Sequence, residues 1–315
     1  MATILERAPA VGGVSRAARR SYRFLAGAPV VPLSMLGLLA FVAVFAPLLA
    51  PHPKLTAVAP TSEQCQAKFG MASCPYVDNV PPFWMHGGRL DTPLGTDFLG
   101  RDVLSRLMHG ARISLVVALT GTLFAGAVGT LLGVIAGYLG GWWDQVIMRI
   151  TDAWLTLPSL VFAILLSSVR GPGVWNVVLI LALVFWSRYS RAVRGEVLSL
   201  RERDFVRLAE INGIGRPTII VRHLVPNVMN TVMVLFSLQV GVAVIIEASL
   251  SFLGVGVPPP EPSWGLMMAQ ERESLMDGRW WLPVFPGIGI TMLVLSANML
   301  GDWLRVRLDP QLRNR

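Results

Sequence analysis

Six stretches of this 315-residue chain contain no Asp, Glu, Lys or Arg: residues 24–53, 113–143, 153–169, 171–187, 223–246 and 280–301. Each approaches or exceeds the roughly 17–25 residues that an α-helix needs to cross the hydrocarbon layer. Charged residues make up only 15% of the sequence and hydrophobic ones 53%, and mean hydropathy is +0.58. Packing these runs into a soluble core would leave too little polar surface to cover it. The expectation is an all-α membrane protein with six transmembrane helices, the third and fourth being the shortest. A basic cluster followed by an apolar run also resembles a signal peptide, but the run from Val30 to Ala50 is long for one and carries Pro32 and Pro47. It is read as an uncleaved first helix.

Arginine placement orients the bundle. With the amino terminus inside, eighteen of the twenty-seven basic residues fall in inside segments, so both termini are expected to be cytoplasmic. The net charge of +8 then describes a basic face beside anionic membrane lipid, and nucleic acid is the poorer partner. Arg188, Arg191 and Arg194 recur as one stripe where the fourth helix leaves the membrane, read as snorkelling to lipid phosphate.

In chain order, residues 1–28 form a cytoplasmic tail and 29–50 the first transmembrane helix. Residues 51–112 form an extracytoplasmic segment holding Cys65 and Cys74, and 113–304 the core with a cytoplasmic loop at 195–228. Residues 305–315 form a second tail. Two cysteines on an oxidising side are expected to form a disulfide, with two free thiols as the alternative. Residues 101–112 have the spacing of an amphipathic helix lying along the outer surface. Gly121, Gly126, Gly129, Gly133 and Gly137 stud the second helix, which places it inside the bundle, since small residues let membrane helices approach closely. Residues 140–151 read as a short turn. Glu247 is a carboxylate near the outer end of the fifth helix, where it either hydrogen-bonds structurally or lines a pathway.

No HExxH, GxSxG or metal-spaced cluster is present. Neither of the two lysines, Lys54 and Lys68, sits in a GxxxxGK[ST] loop. If transport uses ATP, another chain hydrolyses it, and no cofactor is expected in this one. The segment from Asp204 to Asn227, DFVRLAEINGIGRPTIIVRHLVPN, is polar and basic between two apolar runs. Its amphipathic start presents Phe205, Leu208 and Ala209, a turn follows at Gly213, and Pro226 comes thirteen residues later. A helix laid into a partner's groove shows this pattern, and so does a helix lying on lipid.

This segment resembles the cytoplasmic EAA loop of ABC importer permeases. Arg207, Leu208 and Ala209 stand where that family carries Glu-Ala-Ala, while Gly213 and Pro226 keep the family spacing. LGTDFLGRDVLSRLMHGARISL and EASLSFLGVGVPPPEPSWG resemble the dipeptide, oligopeptide and nickel permeases of the DppC/OppC type. The resemblance implies a type I ABC importer permease fold in a bacterial plasma (inner) membrane. It also implies pairing with a homologous permease of the DppB/OppB type, with two cytoplasmic ATPase subunits that bind ATP and Mg, and with an extracytoplasmic substrate-binding protein. Residues 205, 207–209, 213 and 226 would contact the ATPase. The competing reading is an ion-gradient-driven secondary transporter; the charges here avoid the helix centres and no inverted repeat is visible.

Overall fold

The computed structural model describes residues 29–55, 58 and 80–308, so Cys65 and Cys74 lie outside the described residues. Among these residues the fold is ten α-helices, one π turn and no β-strand. The long helices are α1 (Val30–Leu49), α2 (Val103–Leu139), α5 (Val174–Arg201), α8 (Val225–Phe252) and α10 (Trp281–Leu308). Shorter helices are α3 (Gly141–Thr156), α4 (Ser159–Arg170), α6 (Asp204–Ile211), α7 (Arg216–Ile219) and α9 (Trp264–Gln270). A π turn at Ile220–Leu224 fuses α7 to α8, so that Arg216–Phe252 is a single helical run.

Five helices are long and apolar enough to span a membrane, with a sixth span only if α3 and α4 count as one. That pair bends by 94° at Leu157 and Pro158. Leu157 is extended, as the residue before a proline tends to be. Pro158 stops α3 because its ring lacks an N–H and collides with the preceding turn. The third expected span is therefore broken, and the twelve residues of α4 reach only about 18 Å at 1.5 Å per residue. Residues 140–151 are not a turn either: Gly140, at φ +66°, passes the chain directly into α3.

Two further boundaries differ from the sequence reading. Residues 101–112 do not form a separate surface helix. Asp102 caps α2, its Oδ2 accepting from the Ser105 N–H at 2.9 Å, and Val103, Ser105 and Arg106 are buried first turns of that helix. Within residues 195–228, α5 continues to Arg201 and the next long helical run starts at Arg216, with α6 between them. At the other end of the chain α10 extends to Leu308, into the segment read as a tail.

The glycines of α2 behave as their spacing implied. A Cβ on Gly129 would stand 2.2 Å from the Trp186 carbonyl oxygen, and one on Gly133 2.6 Å from that of Ser190. Gly121 and Gly137 abut Leu181 and Val197 in the same way. With no side chain between them, the backbones of α2 and α5 pack in direct contact, and α2 also touches α1, α8 and α10. The main apolar core lies among these helices. A second, smaller cluster gathers Val134, Tyr138, Val193, Val197, Val206 and Ile219 at one end of the bundle.

Candidate functional site

At that end sits α6, whose eight residues have two distinct faces. With about 100° per residue, Val206, Ala209 and Glu210 point one way while Leu208 and Ile211 point the other. Val206 and Ala209 are buried in the smaller cluster, whereas Phe205, Leu208 and Ile211 are 40, 57 and 80% exposed. Ala209 thus packs against its own chain, unlike its two companions on the expected docking face. Arg207 occupies the exposed flank between the faces.

The helix closes in a Schellman turn. The Gly213 N–H donates to the Glu210 carbonyl at 3.0 Å and the Ile214 N–H to that of Ala209 at 3.1 Å, satisfying carbonyls that the helix end leaves free. Gly213 takes φ +72°, a conformation that costs an L side chain roughly 1–2 kcal/mol. Pro226 lies on the exposed side of the helical run that begins at Arg216, directly after the π turn.

A tether absent from the sequence reading holds α6 in place. The Tyr138 hydroxyl, at the end of α2, donates to Glu210 Oε1 at 3.0 Å. Its only sequence signal is that Glu210 lies four residues after Val206 and so shares the buried face. The arginine stripe on α5 is also paired within the chain. Arg194 bonds both carboxylate oxygens of Asp144 at 3.0 and 2.6 Å, and Arg191 pairs with Asp152. Arg188 bonds Gln239 at 3.2 Å and Ser159 at 3.0 Å. Within the chain the stripe grips the bent α3–α4 pair and, through Gln239, α8.

The opposite end brings together the two sequence blocks that precede α2 and follow α8. Asp97 accepts from Arg101 Nε at 2.7 Å, from the N–H groups of Leu99 and Arg101 at 2.9 Å, and from Arg106. Arg106 also reaches Gln270 at 3.0 Å. Glu271 accepts from the Phe98 N–H at 3.1 Å and from Ser274 at 2.7 Å. Burial pushes the carboxyl of Asp97 up, against the Arg101 charge that favours ionisation. Burial likewise raises that of Glu271, and the nearby Asp97 charge adds to the rise.

Deeper in, Glu247 is fully buried. Its carboxylate accepts from Ser114 at 2.9 Å and from Ser251 at 2.8 Å, while Ser251 takes the Val257 N–H at 3.1 Å. Trp264 wedges between α2 and α10, its indole donating to the Leu107 carbonyl at 3.0 Å, with Gly110 and Gly289 leaving room for the ring. Among the described residues no group of His, Cys, Asp and Glu is placed to hold a metal ion.

Residues 129–314, more than half of the chain, match the family described as binding-protein-dependent transport system inner membrane component. The chain belongs to this family. It is a multi-pass inner-membrane permease, and its matched region contains α6, the arginine stripe and Glu247. The permease is 38% identical to the di/tripeptide transport system permease protein DppC of Pseudomonas aeruginosa, over 88% of this chain and 86% of that one. It is 38% identical to the dipeptide transport system permease protein DppC of Alkalihalophilus pseudofirmus, over 78% and 80% of the two chains. It is 39% identical to the glutathione transport system permease protein GsiD of Pectobacterium atrosepticum, over 70% and 73%. The part of the permease that precedes the family match includes Asp97, Arg106 and the start of α2.

Proposed function

We propose that this permease forms half of the translocation pathway of an ATP-driven importer of peptides or similar small solutes, and that α6 is the contact through which partner ATPases drive it. The observation that carries this reading is the split character of α6. One face is locked into the permease by Val206, Ala209 and Glu210, while the other leaves Phe205, Leu208 and Ile211 exposed. A short rigid helix with an apolar outer face fits a groove on another protein. The α6 end, carrying both the amino-terminal side of α1 and the end of α10, is then the cytoplasmic one. The Asp97 end faces a substrate-binding protein.

In this assignment a homologous permease supplies the other half of the pathway, and two ATPase subunits bind and hydrolyse ATP with Mg. Closure of the ATPase pair moves α6, and the bundle follows. Arg207, on the flank of α6, meets the rim of the ATPase groove. Glu247 joins α2 to α8 through its serines and stays outside the pathway. The relatives' cargoes, di- and tripeptides and glutathione, make short peptides the first substrates to test.

The test reconstitutes the permease with its partner permease, ATPases and binding protein in proteoliposomes. Uptake of a labelled dipeptide is expected only with ATP and with binding protein present. Uptake by this chain alone, driven by an ion gradient without ATP, would overturn the importer reading in favour of a secondary transporter.

A further inference from the structure

We infer that the hydrogen bond from Tyr138 to Glu210 is the positioning contact that makes movement of α6 a movement of α2. This rests on the reading of α6 as the ATPase contact and specifies how the motion enters the bundle. Glu210 is itself exposed, at the edge of the face that Val206 and Ala209 bury, and its Oε1 lies 3.0 Å from the buried Tyr138 hydroxyl. Tyr138 is buried in the penultimate position of α2, and its carbonyl accepts from Arg201 Nη1 at 3.4 Å. The tyrosine therefore joins α6 to the ends of both α2 and α5.

Val206 and Ala209 press α6 against the same cluster, but the burial of apolar surface is in itself non-directional. A hydroxyl bonded to a carboxylate is directional and stronger than a neutral pair. It fixes the rotation of α6 as well as its depth. α2 can carry that motion because it is continuous for 37 residues, about 55 Å at 1.5 Å per residue. Its glycines lock it to α5 along the way. At its far end Arg106, Leu107 and Ser114 hold Gln270, Trp264 and Glu247. A rod tied at both ends moves both ends together.

Tyr138→Phe removes the hydroxyl and leaves the ring in the cluster, while Glu210→Gln keeps an oxygen that can accept. Both are assayed in the complete complex in proteoliposomes. For Tyr138→Phe, ATPase subunits should co-purify normally and the KM for ATP should be unchanged. Stimulation of hydrolysis by the loaded binding protein should fall about fivefold or more, the low end of coupling between distant sites, as should peptide moved per ATP. Glu210→Gln should retain most of the stimulation, and Glu210→Ala should match Tyr138→Phe. Full stimulation and full peptide per ATP in Tyr138→Phe would overturn the inference.

Leu208→Glu and Ile211→Glu, on the exposed face, separate this from the reading beneath it. If they release the ATPases while Tyr138→Phe is fully coupled, only the tether inference fails. If the ATPases remain bound to both, α6 is not their contact, and the inference falls with that reading.

Discussion

At Gly213 the backbone turns at φ +72°, yet an added Cβ would meet nothing within 4 Å. Substitution there is opposed by conformation alone. Gly213→Ala is expected to cost about 1 kcal/mol, from the left-handed penalty on an L residue. Gly213→Asn should cost less, because Asn tolerates this region. Hydrogen exchange over residues 204–214 should rise in the Ala variant and less in the Asn variant, with the Tm of the whole permease unchanged. Glu247 is the converse case, since its surroundings are fully committed. Glu247→Ala strands the Ser114 and Ser251 hydroxyls, and each buried unsatisfied group costs about 1–3 kcal/mol. Thermal unfolding in detergent should show a clear loss of Tm for Glu247→Ala and a smaller one for Glu247→Gln, whose oxygen still accepts one serine.

Among elements, the α2–α5 pair is held by what its glycines lack. Gly129→Ala places a methyl group 2.2 Å from the Trp186 carbonyl oxygen, so the helices must part, an overpacking worth about 1–3 kcal/mol of lost stability. Gly195 on α5 has nothing within 4 Å of its Cβ position. Gly195→Ala should raise stability by about 0.5–1 kcal/mol by favouring the helical backbone. Thermal unfolding of the two variants in one detergent should move in opposite directions. This pair was legible in the sequence because small residues three and four apart share a helix face whatever their partner is. The bent pair α3–α4 was not, because an uncharged run reports composition and is silent about direction. Pro158 lies inside the uncharged run 153–169, and the run breaks there. The in-chain partners of the arginine stripe were hidden for a related reason: Asp144 and Asp152 lie 50 and 39 residues upstream. Only folding brings them opposite Arg194 and Arg191. On α6, amphipathic spacing grouped Ala209 with Phe205 and Leu208, yet Ala209 is buried while the other two are exposed, since one small residue satisfies either face.

For the molecule as a whole, the junction of the 97–106 and 270–274 segments ties together stretches 164 to 173 residues apart in sequence and gives it a pH dependence. Asp97 and Glu271 are both pushed above the ordinary carboxylate range of about 4 by burial. The folded state therefore binds their protons more tightly than the unfolded chain does. Stability must fall as pH rises from that range through the raised values, and recover on acidification. Hydrogen exchange at residues 97–101 and 270–274, corrected for its intrinsic pH dependence, should show protection that falls as pH is raised through the titration of these carboxyls. Glu271→Gln should flatten that fall.

The π turn at Ile220–Leu224 bears on the whole molecule in another way. The Val225 N–H reaches back five residues to the Ile220 carbonyl, so this turn contains one residue more than an α turn would, immediately before Pro226. One residue of α-helix is about 100° of rotation. The surplus residue thus acts as an index that sets the phase between the membrane-spanning part of α8 and everything that precedes it, α6 included. Deleting Val221 would swing the compass bearing of that preceding part by about this angle while leaving every apolar run intact. Such a deletion should yield a chain that reaches the membrane at normal abundance but no longer retains ATPase subunits on purification. Retention at the full level would show that the bearing is set elsewhere.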